Sequence, residues 1–211
     1  MKIYKTIFLF LTVTLISFNV EAQKDSKGEL DAMAMNMFEK TNYRDFDALL
    51  DMTYPKIYDL VPKEEMKNLF ISMFQGTDEM SIDLPKQTPK YVLSKTYKDE
   101  GSNTDYAFLT YDMKMSMTFK QQEFDDKGKK MIINMMKVQG MEAFFEDDSK
   151  VNINAPNRMV IFISDDLTDN KWKMLNYDPN SPIFSQLMPT TVIEKAKGYY
   201  QDILLVYNKK N

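Results

Sequence analysis

The stretch YDMKMSMTFK, Tyr111 to Lys120, sets a phenol, a carboxylate and three thioethers close together: Tyr111, Asp112, Met113, Met115 and Met117. Two chemistries follow from those residue types. A phenol beside a carboxylate offers groups for acid–base work. Neighbours on a strand point to opposite faces, however, so Tyr111 and Asp112 enter one pocket only across a bulge. Thioethers at i, i+2 and i+4 share one strand face and suit cuprous copper. The competing reading makes the methionines core, because an unbranched thioether fills irregular gaps. Met33, Met37, Met66 and Met73 recur on helical faces elsewhere, and that abundance favours the core reading over a metal site.

The residue types that are missing narrow the chemistry further. The chain has no histidine and no cysteine. That removes Ser-His and Cys-His nucleophiles, imidazole acid–base groups, disulfides, thiolate metal sites and ordinary zinc or copper(II) sites. Carboxylates, tyrosines, lysines and hydroxyls remain. A formal net charge of −4, with lysines interspersed among acids, argues against nucleic acid, whose phosphates require a basic face. The acidic runs Glu146 to Asp148 and Asp165 to Asp169 invite a calcium reading. The second lacks the alternating ligands and glycine of a calcium loop and reads as a solvated hairpin turn. No cofactor and no metal are expected.

The elements that would position these residues begin with helices. Ser26 and Glu29 form a capping-box pattern, followed by Leu30, Met33, Ala34, Met37 and Phe38 at helical spacing. RDFDALLDMTYP predicts a short second helix with Phe46, Leu49 and Leu50 on one face, ending against Pro55. In VPKEEMKNLFISMFQG, Pro62 opens a third helix, two glutamates suit its positive end and Gly76 stops it. Its stripe is Met66, Leu69, Phe70, Met73 and Phe74.

A sheet is expected next. Residues Lys90 to Lys98 alternate with Tyr91, Leu93 and Tyr97 on one side. From Ala107 to Phe119 every odd position is apolar, while the even positions from Thr110 to Lys120 are polar. That is one long strand with an inner and an outer face, long enough that it must curve or bulge. Lys129 to Asp147 reads as a helix with Gly140 as its weak point, RMVIFIS as a central strand, and KWKMLNY as a strand carrying Trp172 and Met174 on one face. Pro189 opens a helix through Ala196, and ILLVY follows Gly198 as a separate apolar run.

The N-terminus carries Lys2 and Lys5, an apolar run from Ile7 to Phe18, and Val20-Glu21-Ala22 before Gln23. This is the pattern of a cleavable secretory signal over 1–22, too short for a membrane span. With no cysteine after the cleavage point, a lipoprotein anchor is not expected. The exported chain, periplasmic or extracellular, then forms one α+β domain over 23–211 with no membrane span.

Helices first, then long curving antiparallel strands with a Trp-bearing final hairpin, resemble the cone-shaped α+β fold of the nuclear transport factor 2-like superfamily. FEKTNYRDFDALLDMTYPKIYDLVPKEEMKNLF is similar to the first helices of small exported proteins of that kind from Bacteroidetes-type bacteria. The resemblance runs loosely over residues 29 to 177, and the extra helix between strands departs from the usual order. It implies N-terminal helices packed on a curved antiparallel sheet. Members include isomerases and dehydratases as well as proteins that only bind or dimerise, so a homodimer joins the expected partners. No catalytic role carries over to a residue here. The leading expectation is a non-catalytic module binding an apolar ligand or a protein, with the pocket lined by Tyr111, Met113, Met115, Met117, Trp172 and Met174. An isomerase- or hydratase-like enzyme and a cuprous-copper binder are the alternatives.

Overall fold

A computed structural model describes residues 26–208. The signal segment read at 1–22 and the cleavage point before Gln23 lie outside them. Among the described residues the helices are α1 (Ser26–Tyr43), α2 (Phe46–Met52), α3 (Lys63–Gln75), α4 (Asp126–Val138), α5 (Phe184–Leu187) and α6 (Thr190–Asn208). The strands are β1 (Met80–Asp83), β2 (Tyr91–Leu93), β3 (Tyr97–Asp99), β4 (Thr104–Phe119), β5 (Glu142–Phe145), β6 (Lys150–Ser164) and β7 (Lys173–Asn176). All strand pairings are antiparallel, so the fold is α+β, with helices packed on an open sheet in an arrangement consistent with a cone.

β4 and β6 form the long central pair. β3, β2 and β1 lie in turn along the outer side of β4, and β7 and β5 along the outer side of β6. The alternation read in β4 positions three helical layers. Ala107 and Leu109 are buried against Leu30, Ala34, Met37 and Phe38 of α1. Further along the same face, Met115, Met117 and Phe119 pack with Ile132 and Met136 of α4. Phe108, with Ile161 and Ile163 of β6, faces the other way and is covered by Phe184, Leu187, Val192 and Ala196 of α5 and α6.

β6 alternates only in its first half; its second half is buried on both faces, and a bulge separates the two. Tyr111 pairs with Arg158 but Met113 pairs with Ala155, so Pro156 and Asn157 together oppose Asp112. Asn157 takes a left-handed φ of 54°, a conformation Asn tolerates better than most residues. The extra residue reverses the parity of β6: Val151, Ile153 and Ala155 share a face with Val160 and Phe162.

Four expectations need correction. The strand expected over Lys90 to Lys98 is two strands, and the register against β4 slips by one residue between Leu93↔Leu109 and Tyr97↔Tyr106. That slip sends Tyr97 to the α6 side while Tyr91 and Leu93 stay with α1. Thr110 is buried instead of facing solvent, because both faces of this part of the sheet are covered. The helix expected over Lys129 to Asp147 ends at Val138; Gly140 turns with a φ of 73°, and Ala143 and Phe145 continue in β5. ILLVY belongs to α6, which runs through Gly198 without interruption.

Candidate functional site

An opening between helices and sheet lies where α1 ends and the bulge begins. The chain leaves α1 at Arg44, whose left-handed backbone (φ 58°) turns it sharply into α2. The Arg44 guanidinium then ties three elements together. Its Nη1 donates to the Thr41 carbonyl at 2.7 Å, its Nη2 to the Leu84 carbonyl at 2.9 Å, and it sits 4.7 Å from the centre of the Phe74 ring. The arrangement holds the Leu84 loop and α3 over the end of α1. Gln87 in the same loop donates its backbone N–H to Asn42 Oδ1 at 3.1 Å.

Beneath that brace lies a cavity of about 210 Å³. α1 contributes Met37, Phe38, Thr41 and Asn42; α2 contributes Phe46 and Leu49; α3 contributes Phe70 and Phe74. Leu84, Pro85 and Pro89 close one side, and Tyr111, Met113, Met174 and Asn176 form the sheet wall. Phe46 stacks on Phe74 with ring centres 5.5 Å apart, and Phe38 meets Tyr111 edge-on at 5.2 Å. The helical aromatics recur at i and i+4 in α3, so they fall on one helical face.

Both threonine hydroxyls at the cavity are already engaged. The Thr41 and Thr53 hydroxyls donate back to the Met37 and Leu49 carbonyls. Tyr111 differs, since its hydroxyl has no hydrogen-bond partner among the described residues. Burial pushes its pKa up, against a smaller opposing pull from Arg158. A phenol shifted in that direction keeps its proton at neutral pH and serves as a donor, not a base. Asp112 also lines the cavity, although the extra residue of the bulge lies opposite it in β6, so β4 itself keeps its alternation between Tyr111 and Met113. Asp112 Oδ1 accepts the Asn157 N–H at 2.9 Å, which engages one oxygen in the bulge. Asn157 Nδ2 is buried without a partner among the described residues.

Of the residues read from sequence as pocket lining, Tyr111, Met113 and Met174 meet at this cavity. Met115 and Met117 pack beneath α4, and Trp172 lies beside Met33 and Met52. The three methionines of β4 therefore share a face but not a site. Phe46, Phe70 and Phe74 were legible as core stripes of amphipathic helices, and nothing in their spacing marks them as cavity walls. Compared with models of known protein families, with curated proteins and with solved structures, the chain matches none.

Proposed function

We propose that the protein is an exported binding module that holds a small apolar ligand in the cavity between α1, α3 and the sheet. One observation carries this reading: a largely apolar cavity lined by the half-buried Tyr111, whose hydroxyl has no hydrogen-bond partner among the described residues. A ligand that accepts a hydrogen bond would pair this hydroxyl. A cavity of about 150 Å³ takes up benzene, so this one has room for one ring or a short chain. The resemblance to the nuclear transport factor 2-like superfamily, whose members include proteins that only bind, agrees with this reading. Export rests on the N-terminal signal pattern.

Thermal unfolding with toluene, hexanol or hexanoate tests the proposal. A ligand at a hundred times its dissociation constant adds about 2.7 kcal/mol to stability, so a saturable rise in Tm is expected. Tyr111→Phe should weaken hexanol more than toluene, since only hexanol can accept a hydrogen bond from the phenol. Leu49→Trp, which fills the cavity, should abolish both shifts. Unchanged shifts in the filled variant would refute the assignment.

A further inference from the structure

A second cavity of about 190 Å³ adjoins the first and shares Thr53, Phe70, Met174 and Asn176 with it. It reaches round the edge strand β7 to Leu175, Phe184 and Leu187, which belong to the opposite face of the sheet. α3 spans both spaces with one row of side chains. Phe74 lines the first cavity, Met66 the second and Phe70 both. Spacing of four residues puts successive members of that row about 6 Å apart, so the combined space is long and narrow.

The partition between the two cavities is soft. Met174 is an unbranched thioether that adapts its shape at little cost. Phe70 stands on a helix with no fully buried residue, where Leu69 is 60% exposed. Elements that bury little apolar surface yield at low free energy. Joined, the two spaces reach the range of about 300 Å³ and above that holds whole ligands.

The polar groups orient what would enter. Tyr111 offers an unused donor at the first cavity, and Lys114, also there, makes no ion pair among the described residues. Asp112 has one oxygen engaged by Asn157. Lys114 lies two residues along β4 from Asp112 and offsets its charge, whereas the second cavity is lined by the exposed carboxylate of Asp178 and by no cation, which disfavours an anionic or accepting group at that end. Building on the cavity's reading as a ligand site, we infer that the ligand is an unbranched aliphatic chain with a hydrogen-bond-accepting head, a fatty acid in its simplest form. The head meets Tyr111 and Lys114, and the tail runs beneath α3 into the second cavity.

Calorimetric titration with straight-chain fatty acids from four to sixteen carbons, kept below their micelle concentrations, tests this, with toluene as the short probe. Each buried methylene should tighten binding about fourfold. By proportion to the cavity that holds benzene, a tail confined to the first space stops gaining near about eight carbons, and one that uses both gains to about sixteen. Ile183→Trp and Met66→Trp each fill the second cavity alone and should return the plateau to about eight without weakening hexanoate. A wild-type plateau near eight, or a plateau unmoved in both filled variants, overturns the inference while leaving the small-ligand proposal standing. No binding of any acid or of toluene overturns both.

Discussion

The Tyr54 hydroxyl donates to Asp165 Oδ2 at 2.7 Å, a buried bond between residues 111 apart in sequence. It closes the route by which the chain passes from the helices to the far side of the sheet. Thr53 bridges Met174 and the Tyr54 N–H donates to the Met174 carbonyl, so the segment covers the edge of β7. The other carboxylate oxygen of Asp165 accepts the Thr168 N–H, capping the turn between β6 and β7.

Tyr54→Phe leaves Asp165 Oδ2 buried without its donor and should cost about 1–3 kcal/mol by urea unfolding at pH 7. Burial, and then the bond to Asp165, raise the Tyr54 pKa above the ordinary phenol value. The unfolded chain releases this proton near pH 10 while the folded chain still holds it, so stability falls as pH rises above about 10. Tyr91, pushed up to about 12 by its bond to Asp31 and by burial, adds to the same slope. The Tyr54→Phe variant should lose less stability than wild type between pH 9 and pH 11, and an equal loss would contradict the pairing.

The face assignment of β4 predicts opposite outcomes at adjacent residues. Met115→Asp places a charge among the side chains under α4 and should cost roughly 2 kcal/mol or more. Ser116 pairs with Asp83 of β1, so Ser116→Lys should be neutral or stabilise by a few tenths of a kcal/mol. Denaturant midpoints of the two variants decide it, and equal losses would contradict the register.

Arg44 is expected to govern the cavity without touching a ligand. Arg44→Lys keeps the charge but loses the two-pronged bond to the Thr41 and Leu84 carbonyls and should cost about 1–2 kcal/mol. Ligand affinity should fall with it, since the Leu84 loop forms one wall. Unchanged stability together with unchanged affinity would show that the brace is not needed.

Two glycines should answer alanine with opposite signs. Gly198 lies within α6 with open space where a Cβ would stand, so Gly198→Ala should stabilise by roughly 0.5–1 kcal/mol. Gly140 has equally open space but a φ of 73°, and Gly140→Ala should destabilise by about 1 kcal/mol. Thermal unfolding of each variant measures the sign directly.

Regular patterns were legible in sequence, and their interruptions were not. The parity of Ala107 to Phe119 and the bounds of α3 follow from apolar period and from Pro62 and Gly76, which act locally. The slip after Leu93 and the bulge at Pro156 and Asn157 depend on how two strands meet, and one strand's own residues leave that register open. The cavity is harder still to see. Phe70 and Met113 look alike whether they fill a core or line a space, because the difference lies in how closely α3 approaches the sheet. Tyr111 and Met113 were singled out from a strand pattern, and Met174 from its hairpin. Their meeting with Phe46 and Phe74 is a tertiary fact.

The carbon-13 spectrum of methionine methyl groups titrated with hexanol reports directly whether the cavity takes up a ligand. Met113 and Met174 line the cavity, while Met115 and Met117 pack beneath α4. A ligand in the cavity should shift the methyl signals of Met113 and Met174 along one saturable curve and leave those of Met115 and Met117 in place. Saturable shifts at Met115 and Met117 with none at Met113, or no saturable shift at any of the four, would contradict the account.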